Sequence, residues 1–198
     1  MKLSAFLFFS FLALNAQALV LGELKGTGKL NASYGDSKGS STFRTADCTM
    51  SFNIVNDGKQ AGVSFSYFDC GALGLWNDWL GVYDVEGNQL VNKKGQVVGS
   101  IDENGSFSLN IAKRTPVKYT IYKYDYDCRP LYGKKVTLNL DSKWAYTFTK
   151  RADGGYDFTR KSSADKQVYA PKRPHPRCRA QMEYKKATDV LDLQGSVK

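Results

Sequence analysis

An alternation of period two runs through most of this chain and commits it to extended structure. Phe107, Leu109 and Ile111 alternate with Ser106, Ser108 and Asn110. Val117, Tyr119 and Ile121 alternate with Lys118, Thr120 and Tyr122, and Val136, Leu138 and Leu140 with Thr137, Asn139 and Asp141. Trp144, Tyr146 and Phe148 do the same with Ala145, Thr147 and Thr149. Successive side chains of a strand point to opposite faces, so these are strands with one buried and one wet face. The gaps hold turn chemistry: Asp57-Gly58, Glu86-Gly87-Asn88, Glu103-Asn104-Gly105, Tyr132-Gly133 and Asp153-Gly154-Gly155. Turns at short spacing predict antiparallel meanders. The expected fold is a single all-β domain of about ten strands, an antiparallel β-sandwich or an up-and-down β-barrel. Helical signal is confined to residues 73–80 and 188–193, each long enough for one turn.

Two stretches interrupt the pattern. Residues 34–41 are rich in Gly and Ser and read as a loop. Residues 161–176 are polar and end in Pro171-Lys172-Arg173-Pro174-His175-Pro176. Prolines so spaced do not fit a central strand. This segment therefore reads as a long basic surface connection, followed by a last strand near 179–185.

Residues 1–18 read as a secretory signal peptide: Met1-Lys2, an apolar run from Leu3 to Leu14, then Ala16-Gln17-Ala18 as a small-x-small cleavage site. The apolar run is shorter than the roughly 20 residues a spanning helix needs. A secreted or periplasmic protein of residues 19–198, without a transmembrane segment, is expected. Its four cysteines, Cys48, Cys70, Cys128 and Cys178, then read as two disulfides. Cys48 and Cys70 are equidistant from Lys59, within the Asn56-Asp57-Gly58-Lys59-Gln60 turn, which predicts that they face each other across a hairpin. Met50, Phe52 and Ile54 share one face of the outgoing strand, and Val63, Phe65 and Tyr67 one face of the return. Matching these faces to the cysteine register requires a one-residue bulge. By elimination the second bridge is Cys128–Cys178.

The chain carries a formal charge of +9, and much of the excess is local. Eight cations lie between Lys161 and Lys186 against only Asp165 and Glu183. Lys172, Arg173, Arg177 and Arg179 are the candidate anion-binding residues. Basic pairs at Lys93-Lys94, Lys113-Arg114, Lys134-Lys135 and Lys150-Arg151 fall near predicted strand ends. Such a surface attracts anionic polymers or surfaces, and lysines equally protect strand edges from pairing. For an exported protein, acidic polysaccharide, lipid head groups or an acidic protein are the expected partners, and no nucleic acid is. Tyr122, Tyr124 and Tyr126 share a strand face and, with Trp76 and Trp79, are candidate aromatic binding residues. A cross-strand aromatic ladder or core packing explains them as well.

No catalytic set, metal site or cofactor is predicted. His175 is the single histidine and sits between prolines, as a solvated loop residue would. Gly35-Asp36-Ser37-Lys38-Gly39 has the G-x-S-x-G form of a nucleophile elbow, but that motif needs a helix after the serine, and Ser40-Ser41-Thr42-Phe43 does not start one. Asp84, Glu86, Asp102 and Glu103 flank turns, where such residues serve local hydrogen bonds. The expected function is an exported, non-catalytic binding protein that recognises an anionic or glycan-bearing surface or partner. The alternative is a β-barrel carrier of a small apolar ligand, with a hydrolase a distant third. A hollow interior would favour the carrier.

Overall fold

Ten antiparallel strands close on themselves in the order in which the chain makes them. The computed structural model describes residues 19–73, 80–124, 130–171 and 182–198. The strands are β1 (Leu19–Gly35), β2 (Ser41–Asn56), β3 (Gln60–Asp69), β4 (Val82–Glu86), β5 (Gln89–Val91), β6 (Val97–Ile101), β7 (Phe107–Tyr124), β8 (Pro130–Lys150), β9 (Tyr156–Pro171) and β10 (Met182–Val197). A short 3-10 turn, Gly71–Leu73, follows β3. β1 joins β10 on one side and β2 on the other, which closes the ring. Of the two predicted architectures, the barrel is the one that forms.

Four of the connections are built from the same local code. In 36–40, 92–96, 102–106 and 151–155 the first N–H bonds to the fifth carbonyl, and the fourth N–H returns to the first carbonyl. The fourth residue is always glycine with positive φ: Gly39, Gly95, Gly105 and Gly154. This is the three-residue hairpin loop that ends in a left-handed glycine. Asp36, Asn92 and Asp102 lock their turns by accepting backbone N–H groups from Ser40, Gln96 and Ser106.

The interior is filled by side chains from opposing walls. Phe52 of β2 lies 5.2 Å from Phe148 of β8 and 4.8 Å from Phe158 of β9, although four strand steps separate β2 from β8 around the ring. Phe68 and Phe107 extend the cluster to β3 and β7. These rings are buried together with Leu30, Met50, Ile54, Leu109, Tyr146 and Leu193. A ten-stranded ring has room for more than the side-chain-filled core of eight strands. Here aromatic volume occupies it, so the closed barrel packs inside as a sandwich does.

The Cys48–Cys70 disulfide forms as predicted, at a Cα–Cα distance of 4.2 Å. The expected bulge is also present: Phe52 faces Ser66, but Ile54 faces Val63, leaving Ser64 over. Its effect on the return strand differs from expectation. The extra residue switches faces between Val63 and Phe65, so Val63 and Phe68 are buried while Phe65 and Tyr67 are exposed.

Three expectations along the chain are corrected. Residues 161–171 are not loop but the second part of β9, paired with β10 as far as Pro171↔Met182. Residues 188–193 are strand rather than helix, with Leu191 and Leu193 inside and Val190 outside. The last strand spans Met182–Val197, not 179–185.

Candidate functional site

The long strands outrun the barrel and form two ribbons at one end. β6 pairs with β7 no further than Gly99↔Leu109, yet β7 stays paired with β8 to Tyr124↔Pro130. β8 and β9 part after Ser142↔Ala164, while β9 and β10 remain paired. One hairpin, of β7 and β8, and a second, of β9 and β10, therefore project beyond the barrel wall. At about 3.3 Å per residue the first reaches roughly 35 Å past the parting point.

Asp165 sits at the parting point. Its carboxylate accepts the Asp141 N–H at 3.0 Å, where the β8–β9 ladder would otherwise continue. It also accepts the Lys186 ammonium at 2.9 Å and the Thr188 hydroxyl at 2.8 Å. Asp141 in turn takes the Arg114 guanidinium at 2.6 Å. Burial opposes ionisation of Asp165, but the Lys186, Asp141 and Thr188 donors outweigh it, and its carboxyl lies below the usual range. The Arg114 hydrogen bond holds Asp141 low in the same way. Further out, Tyr119 donates its hydroxyl to the Tyr184 carbonyl at 3.2 Å, and the two rings meet edge to face.

The first ribbon is two-faced. Val117 faces Leu138 and Tyr119 faces Val136, with Leu140 and Ile121 on the same face, all half-buried. Lys118 and Lys135 are exposed on the opposite face, while Lys113 and Lys134 are exposed at the two ends of the apolar one. Lys113-Arg114 and Lys134-Lys135 thus lie within long strands rather than at their ends, whereas Lys93-Lys94 occupies a turn.

At the base of the ribbons the outer wall carries a depression of about 460 Å³. Its floor is the backbone of Ile111, Trp144, Ser162 and Leu191, neighbours across β7, β8, β9 and β10. Two rows of outward residues border it. Asn110, Ala145, Lys161 and Asp192 form one; Ala112, Lys143, Ser163 and Val190 form the other. The lysines stand on the adjacent strands β8 and β9, diagonal to each other across Ala145 and Ser163.

The predicted residues distribute unevenly. Lys172, Arg173, Arg177, Arg179, His175, Tyr126, Trp76, Trp79 and the Cys128–Cys178 pair lie outside the described residues. Tyr122 and Tyr124 belong to the outer end of β7, where the register shifts after Lys123; their side chains are outside the description. Within the basic segment, Lys166 pairs with Asp189 at 2.7 Å beside the Tyr34 ring, and Lys186 serves the ribbon junction. Lys161 and Lys185 are exposed. The G-x-S-x-G segment is the β1–β2 turn, and Asp36 is held below the usual carboxylate range by the backbone N–H groups of Ser40 and Lys38. The sequence reading missed the depression, because its residues meet only through the register of four strands. Comparison with protein-family models and with curated proteins returned no match.

Proposed function

We propose that the protein is an exported, non-catalytic binding protein for an anionic or glycan-bearing surface or partner. The observation that carries this reading is the charge of the first ribbon. Lys113, Lys118, Lys134 and Lys135 are exposed along it, and Asp141, the one acid on its described part, is engaged by Arg114 and Lys186. A projecting cationic ribbon meets a polyanion before the barrel does. The aromatic filling of the interior weighs against a carrier of small apolar ligands. The Cys48–Cys70 disulfide suits an oxidising compartment.

Titration against heparin, lipopolysaccharide and a neutral dextran at two salt levels tests the proposal. Affinity for the acidic probes should fall steeply as salt rises, because the screening length drops from about 30 Å at 0.01 M to about 8 Å at 0.15 M. Lys118→Glu with Lys135→Glu should slow association and leave the fold intact. Salt-independent binding, or no binding to either acidic probe, defeats the reading.

A further inference from the structure

We propose that the depression at the ribbon base is a subsite for an acidic pyranose, a sugar ring bearing a carboxylate or sulfate within an anionic glycan. The inference rests on the polyanion reading above and gives it a specific seat. Three features of the depression point to this ligand.

The first is its shape. A hollow of about 460 Å³ falls within the range of small-molecule sites, about 300–1,000 Å³. It crosses four strands, a width of about 14 Å at 4.8 Å per strand. It lies on the outer wall, open to solvent, so a unit inside a polymer can enter without a free end.

The second is its chemistry. The methyl groups of Ala112 and Ala145 and the half-exposed Val190 (48 %) offer an apolar surface, which suits the C–H face of a sugar ring. Lys143 and Lys161, exposed on opposite sides, supply ammonium groups for one acidic substituent. Asn110 and Ser163 can donate to and accept from hydroxyls, and the Asp192 carboxylate can accept from them. A lipid tail has no use for these polar groups. A bare phosphate has none for the apolar side chains of Ala112, Ala145 and Val190.

The third is continuity. Ala112, Arg114 and Lys118 share one face of β7, so a chain held along that face of the ribbon is led to the depression. The ribbon attracts by charge at long range, and the depression selects by shape and hydrogen bonding at contact.

The test uses the full mature chain with three probes: polygalacturonate for the carboxylate, dextran sulfate for the sulfate, and dextran as the neutral control. Ala145→Trp fills the hollow and removes no charge. It should weaken binding of the recognised acidic polymer about tenfold, the effect of losing one charge-assisted hydrogen bond, and leave the salt dependence unchanged. Lys143→Gln with Lys161→Gln should weaken binding more than Lys118→Gln with Lys135→Gln, which removes equal charge from the ribbon. If the wild type binds an acidic polymer and Ala145→Trp, folded by circular dichroism, binds it equally, the subsite is overturned and the polyanion reading stands. If Ala145→Trp does not fold, the two glutamine pairs decide, and equal losses overturn the subsite. Binding of dextran as tight as of the acidic polymers overturns the acidic specificity. No binding of the wild type to either acidic polymer overturns both readings.

Discussion

Phe52 joins two walls that no backbone ladder connects. Its ring touches Phe68, Phe148 and Phe158, on β3, β8 and β9. Phe52→Ala should destabilise the fold by about 3–5 kcal/mol, the usual cost of emptying a packed aromatic site. Phe43, 79 % exposed, should change stability by less than about 0.5 kcal/mol when replaced by serine. Urea unfolding of the two variants checks the contrast, and similar midpoints would contradict the interdigitated core. Both residues sit in alternating segments, so the sequence marks both as strand positions. It separates Phe52, Met50 and Ile54 as core because they share a parity with Cys48. It does not separate Phe65 from Phe68, because the register calls for a bulge without fixing its place, and no Gly or Pro marks Ser64 as the extra residue. The glycines at the seam are similarly silent. At Gly26 an added Cβ would run into the Ser196 carbonyl of β10, a close approach that only the β1–β10 pairing reveals.

Among the elements, the two ribbons depend on a few charged groups where they part. Asp141 and Asp165 have folded-state pKa values below their ordinary range. Their contribution is therefore present above the ordinary carboxylate range and lost as pH falls through the lowered values. Lys186 is raised, first by its hydrogen bond to Asp165. Its contribution is present below the ordinary lysine range and lost as pH rises through the raised value. The junction should hold through the neutral range and loosen at either extreme. The protection factor of the Asp141 amide, bonded to Asp165, reports this directly. It should drop in strong acid while amides of the barrel core, such as that of Phe148, stay protected. Equal protection of Asp141 in acid would show that the ladder, not the charge network, sets the parting. The same region shows why residues 161–171 carry the sequence signature of a loop although they are strand. In the barrel, β9 alternates Tyr156, Phe158, Arg160 and Ser162 inward. Beyond Ala164 it pairs with β10 and carries Asp165, Lys166 and Gln167 in succession, with no apolar period to read. The 188–193 segment misled in the opposite way. Val190, Leu191 and Leu193 suggest a helical cluster until β9 and β1 pair on either side and leave Val190 outside.

For the molecule as a whole, the barrel and its ribbons divide the labour between stability and surface. The Cys48–Cys70 bridge joins residues 22 apart, and replacing both cysteines by alanine should lower stability by about 3 kcal/mol on the chain-entropy model, measurable by denaturant melts. The described hydrophobic cluster draws on β1, β2, β3, β5, β7, β8, β9 and β10 but contains no residue of 113–141 or 165–188. The first ribbon should therefore be removable. Arg114 and Asp141 face each other, as Asp102 and Ser106 do across the short β6–β7 turn. Replacing residues 114–141 by Asp-Glu-Asn-Gly-Ser would graft that turn onto the barrel in register, with Cys178→Ser in the same chain to leave no unmatched thiol. The shortened protein should unfold cooperatively, because its aromatic core and the pairing of Phe107 with Phe148 are untouched. Near-ultraviolet circular dichroism should retain a fixed aromatic environment. Polyanion binding should fall, through loss of Lys118, Lys134 and Lys135. A non-cooperative melt would mean that the ribbon completes the barrel rather than projecting from it. Full polyanion affinity in the folded, shortened chain would move the binding surface off the ribbon and onto the barrel wall alone.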